Sequence, residues 1–257
     1  MSPPVSRLQT NWDARAALNF MCGGAGAGLM ICAAVIAPAS AAGMILLALA
    51  LVGCGLTAVW LELGKPLRAL HVFFNPFTSW MARESYAAVL LFVLGAGALR
   101  APWLLPFAAC AAAAFLWCQA RMLKGGKGIP AWRARETVAL LLATGLAEGA
   151  GLALFFVAGR LALALFAAAV VIRVLAWARH AAVVKSAALE PAGRTLVQLG
   201  TAVALALALA GLFYAPAAWL AGLAALAAGW RVKFALVTRA SLKQGFELAH
   251  VPVRGTR

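Results

Sequence analysis

The chain has 257 residues, 65% of them hydrophobic and 11% charged, with a mean hydropathy of +0.94 and a formal net charge of +15. A soluble domain cannot bury so large an apolar share, which excludes a water-soluble enzyme and predicts an all-α integral membrane protein forming one transmembrane domain over residues 1–257. The positive charge does not argue for nucleic-acid binding, because no soluble basic domain is there to carry it.

Crossing a bilayer takes about 20 apolar residues per helix. Eight stretches qualify, at roughly 17–37, 41–61, 85–101, 103–120, 137–157, 161–181, 196–214 and 216–237, and two four-helix bundles are one arrangement open to them. Residues 1–16 are polar and carry no cleavable signal or twin arginines, since the first apolar run continues as a full span. Glycines 23, 24, 26 and 28 in the first span, with Gly53 and Gly55 in the second, permit close helix contact. The first hairpin is expected to turn at Pro38-Ala39-Ser40.

Between the second and third spans lies the long polar interruption WLELGKPLRALHVFFNPFTSWMARESY, Trp60–Tyr86. Pro66 and Pro76 forbid one continuous helix through it. Glu62 and Lys65 are spaced to pair, and Lys65, Arg68 and His71 fall in one row at intervals of three. Thr78 or Ser79 is placed to cap the following helix, which puts Arg83 and Glu84 near the membrane edge. His71 and Glu84 can then converge there. Histidine changes charge near neutral pH, and a histidine with a carboxylate at a membrane interface is what a two-proton reaction on a lipophilic substrate needs. The bland alternative is a structural histidine among interfacial cations.

Further along, the 4–5 connection holds Lys124, Gly125, Gly126, Lys127 and Gly128 without the order of a phosphate loop, and reads as a cationic loop facing lipid or a subunit, with Trp132 as an interfacial anchor. Glu148 sits inside the fifth span and Arg173 at similar depth in the sixth; a buried ion pair between them is the favoured reading, with a proton path or pocket carboxylate as the functional one. Arg231 and Lys233 are expected to snorkel from the eighth span. Of the 22 lysines and arginines, Arg100 and Arg160 alone fall on the face opposite the termini, so the positive-inside rule predicts both ends in the cytoplasm.

The segment GKPLRALHVFFNPFTSWMARES resembles the loop between the second and third helices of polysulfide-reductase (NrfD-type) and DMSO-reductase-type (DmsC-like) membrane anchors. RMLKGGKGIPAWRARE, Arg121–Glu136, is similar to their 4–5 loop, and VTRASLKQGFELAHVPVRG, Val237–Gly255, to the end of the anchors that serve cytoplasmic molybdenum sulfite dehydrogenases. The resemblance implies an eight-helix anchor in a bacterial inner membrane. A molybdopterin catalytic subunit and an iron–sulfur subunit would sit on its cytoplasmic face, and the anchor would pass their electrons to membrane quinone, with sulfite oxidation as the source. It further implies that His71 and Glu84 handle quinone (menaquinone or ubiquinone), with Lys65, Arg68, Asn75, Ser79 and Arg83 around them.

In the DMSO-reductase-type branch the soluble subunits lie outside the cytoplasm. The charge bias here departs from that pattern. No haem or iron–sulfur cluster is expected in this chain. His71, His180 and His250 are read as lying in or beside connections, and Cys22, Cys32, Cys54, Cys110 and Cys118 lie in spans without a C-x-x-C spacing, so no metal ligands are assigned. Three other readings stay open: a quinol-oxidising anchor, an anchor with no quinone site, and a proton-coupled transporter centred on Glu148 and Arg173.

Overall fold

The computed structural model describes residues 7–9, 12–36, 41–62, 66–126 and 128–243, with the side chains of residues 7, 66–68 and 243 not described. The Pro38–Ser40 turn, Lys65, Lys127 and the tail from 244 onward, His250 included, fall outside them. Eight helices are long and apolar enough to cross a membrane: α1 (Ala14–Ile36), α2 (Ala42–Trp60), α3 (Trp80–Ala98), α4 (Pro102–Lys124), α5 (Arg135–Ala153), α6 (Arg160–Val183), α7 (Ala187–Ala210) and α8 (Ala215–Thr238). The chain is a multi-pass membrane protein.

Local chemistry sets the helix ends. Asp13 caps α1 by accepting a hydrogen bond from Arg15 N at 2.7 Å, and its carboxyl is held below the usual range by the bond and charge of the Arg15 guanidinium. Proline opens α4 and α8, where its missing N–H is not needed. α3 starts at Trp80 rather than near residue 85, because Ser79 Oγ accepts from Ala82 N at 3.3 Å and draws the polar turn Ala82-Arg83-Glu84 into the helix. α7 starts at Ala187 rather than near 196; its first turns are too polar for a hydropathy window to include but pack as helix on α8. Replacing Ser79 with Ala is expected to lower stability by about 1 kcal/mol, read as a lower melting temperature in detergent.

Helices α1 to α4 form one bundle, with α1 on α2 and α4, and α3 on α4 and α2. Helices α5 to α8 repeat the plan, with α5 on α6 and α8, and α7 on α8 and α6. α1 and α5, which run in the same direction, join the two bundles along a glycine seam. A Cβ on Gly28 would overlap the Gly145 carbonyl, and one on Gly149 would overlap the backbone of Gly28 and Leu29. A Cβ on Gly145 would stand 3.0 Å from the Gly24 carbonyl oxygen. Only bare backbone permits that approach.

Two helices carry a π-helical segment, Asn19–Gly23 in α1 and Gln198–Val203 in α7. Widening the turn frees carbonyls, and buried donors take them: Gln119 Nε2 bonds Asn19 O at 3.0 Å, and Arg173 Nη2 bonds Gly200 O. At the loop end a two-residue antiparallel pair, β1 (Arg7–Leu8) with β2 (Leu242–Lys243), ties the segment before α1 to the segment after α8. Trp132 is buried there rather than interfacial: its Nε1 donates to Leu236 O at 2.8 Å and its ring lies 5.0 Å from that of Trp12.

Candidate functional site

The segment after α2 forms a 3₁₀ helix, Pro66–Phe74, whose strong amphipathic bias suits an element lying across the bundle end. It is pinned to α3 by Tyr86, which donates its hydroxyl to Phe73 O at 3.0 Å and meets the Phe73 ring edge-on at 5.2 Å. Arg83 closes the following turn. Its Nε bonds Pro76 O at 2.8 Å, its Nη2 bonds Phe77 O at 2.6 Å, and its guanidinium stacks over Trp80 at 4.4 Å.

Beneath this arch is a cavity of about 1090 Å³. α1 contributes Asn19 and Phe20 to it, α2 contributes Leu56, Thr57 and Trp60, the 3₁₀ helix contributes His71, and α3 contributes Glu84, Ser85, Val89 and Phe92; Asn75 and Ser79 complete the rim. Val89 and Val93 of its wall are also exposed along α3, so the cavity borders the apolar outer surface. Its volume suits a drug-sized or larger ligand.

His71 and Glu84 both belong to the polar part of the lining. His71 is exposed, its ring edge-on to Phe74 at 5.4 Å. Glu84 is 3% exposed and held from behind: Oε1 accepts from Asn19 Nδ2 at 3.3 Å and from Gln119 Nε2 at 3.4 Å. Two neutral amides, themselves buried, thus fix the carboxyl against the cavity, and among the described residues no cation pairs with it. Glu62 also lines the cavity. Its carboxyl is pushed up by burial, with the Asp13 charge adding and the Arg15 guanidinium opposing.

Four of the sequence-predicted residues, His71, Glu84, Asn75 and Ser79, therefore line one cavity. Arg83 does not: its donors are taken by loop carbonyls, so it shapes the arch instead of facing a ligand. Lys65 and the Arg68 side chain lie outside the described residues. Asn19 and Gln119 were missed, although an amide in an apolar span is itself a signal of a buried partner.

The second predicted feature is rearranged. Glu148 does not pair with Arg173. Its Oε2 lies 2.5 Å from Lys233 Nζ, and both side chains are essentially fully buried. Lys233 does not snorkel; its neighbour Arg231 is exposed. Arg173 gives Nη1 to Ala225 O at 2.7 Å and Nη2 to Gly200 O. His180 is likewise not in a loop but buried in the last turn of α6, its ring stacked 5.7 Å from Trp177. Comparison with protein-family models gives no match, and comparison with curated proteins finds no similar sequence.

Proposed function

We propose that the chain is the membrane anchor of a molybdopterin/iron–sulfur oxidoreductase and that the cavity under the 3₁₀ arch is where membrane quinone takes up electrons. The observation that carries this reading is a large, mostly apolar cavity that borders the lipid-facing side of α3 and is lined by the titratable side chains of His71 and Glu84, with Glu62 also on its wall. A neutral, lipophilic ring that must gain two protons with two electrons has those requirements. The apolar wall takes the ring and the start of its tail; His71 donates to one carbonyl oxygen, and Glu84 supplies or relays the proton for the other. Electrons come from an iron–sulfur subunit docked on the face that carries the 2–3, 4–5 and 6–7 loops. That face is the basic one, and by the positive-inside rule it is cytoplasmic in a bacterial inner membrane. Sulfite oxidation is the reaction proposed for the catalytic partner.

A transporter would place its polar cavity around Glu148. The cavity instead lies in the first bundle and reaches Glu84. His71→Ala is expected to leave the complex assembled and lower quinone-dependent turnover by about 100-fold, measured with native membranes and decylubiquinone; turnover within twofold of wild type would remove His71, and this reading with it.

A further inference from the structure

The Glu148–Lys233 pair and the Glu84 site are neighbours in space. A Cβ on Gly24 would overlap Lys233 Nζ and would lie 3.5 Å from Gln119 Oε1. One on Gly23 would stand 2.7 Å from Gln119 Nε2, the nitrogen that bonds Glu84. The two glycines of α1 therefore floor a passage occupied by the Gln119 and Lys233 side chains. At one end is the Glu84–Gln119–Asn19 cluster, and at the other is Lys233 on Glu148.

We infer that this passage is a proton relay, in which Lys233 and Glu148 exchange protons with Glu84 past Gln119 and Gly24, so that chemistry in the cavity is coupled to protonation of a carboxyl deep in the second bundle. The inference rests on the quinone reading above.

Three features fit a relay better than a fixed brace. Lys233 has a flexible four-carbon stem and a three-donor head, so its ammonium can turn from Glu148 toward Gln119 without moving α8. Glu148 Oε1 is buried and accepts no hydrogen bond among the described residues, which leaves an oxygen free to carry a proton. Gly229 faces that oxygen, since a Cβ there would overlap it. A brace needs none of these; it would be served by both oxygens satisfied and a filled seam.

The proton count closes as follows. In the loaded state Glu148 is a neutral acid beside the Lys233 ammonium. Unloading leaves a carboxylate–ammonium pair across the 2.5 Å contact of Lys233 with Glu148, and the released proton makes Glu84 a neutral acid. Two electrons from the iron–sulfur partner reduce the quinone; Glu84 gives its proton to one oxygen and His71 gives one to the other, forming the quinol. Two protons from the loop face then restore the starting state, one to His71 and one that passes through Glu84 to Glu148. The charged or titratable groups facing the couple are Arg173 from α6 and Cys22 from α1.

The test is infrared difference spectroscopy of the intact complex in lipid vesicles with decylubiquinone, oxidised against electrochemically reduced, in H₂O and D₂O. Wild type should show two carboxylic C=O bands that respond to quinone redox state and shift in D₂O. Glu84→Gln should remove one and Glu148→Gln the other. Gly24→Ala displaces only the far end of Lys233, so it should fold; it should lose the Glu148 response while keeping the quinone bands, and slow quinone reduction about tenfold with a larger solvent isotope effect. Glu148→Gln or Gly24→Ala spectra identical to wild type, with quinone bands intact, would overturn the relay and leave the quinone site standing. Absence of any quinone-linked band in wild type would overturn both.

Discussion

Lys233→Met is expected to lower stability by about 3–5 kcal/mol, because it strands the Glu148 carboxylate without a counter-ion in the membrane interior. Both members of the pair are essentially fully buried and lie 2.5 Å apart. Arg173 offsets this only in part: its charge acts on Glu148, but its Nη1 and Nη2 are committed to the carbonyls of Ala225 and Gly200 and do not bond the carboxylate. Two charges removed together leave no orphan, so Glu148→Gln with Lys233→Met should recover most of the loss. The measurement is thermal unfolding of the four proteins of the cycle in one detergent. Equal losses for the single and double variants would show that the ion pair is not what Lys233 contributes.

Gly149→Ala should be more damaging than its size suggests, at about 3 kcal/mol or more. The added methyl would overlap main-chain atoms of Gly28 and Leu29, and main chain cannot turn aside as a side chain can. Gly53→Ala, where the nearest atom to the new methyl is at 3.5 Å on the Phe92 ring, should change stability little by comparison. Unfolding of both variants in the same detergent tests the seam; similar losses would place the weakness in α5 itself and not in its contact with α1.

The number and places of the helices were legible because hydropathy reports burial in lipid directly. Their polar ends were less so. Trp80–Glu84 and Ala187–Thr195 are helical by capping and packing, and a hydropathy window dilutes both. At the site, the spacing of His71, Asn75, Ser79 and Glu84 within one loop sufficed to place them together, since the chain itself holds them close. The contributions of Asn19 and Gln119 come from other helices. Glu148 was matched to Arg173 because a hairpin makes α5 and α6 neighbours; counting depth along that hairpin cannot reveal that α5 turns its carboxylate toward α8, 85 positions further on. Bundle neighbours are chosen by which faces can approach, and here the glycines of α5 and α8 decide it: Gly151 meets Gly222, and Gly229 admits Glu148.

The glycine seam also imposes an order on biogenesis. α1 precedes α5 in the chain, so the bare backbone at Gly28 has no partner until α5 has been synthesised. Glu148 then waits in turn for Lys233, near the end of the last helix. A nascent chain therefore carries Glu148 without its lysine partner through the synthesis of α6 and α7.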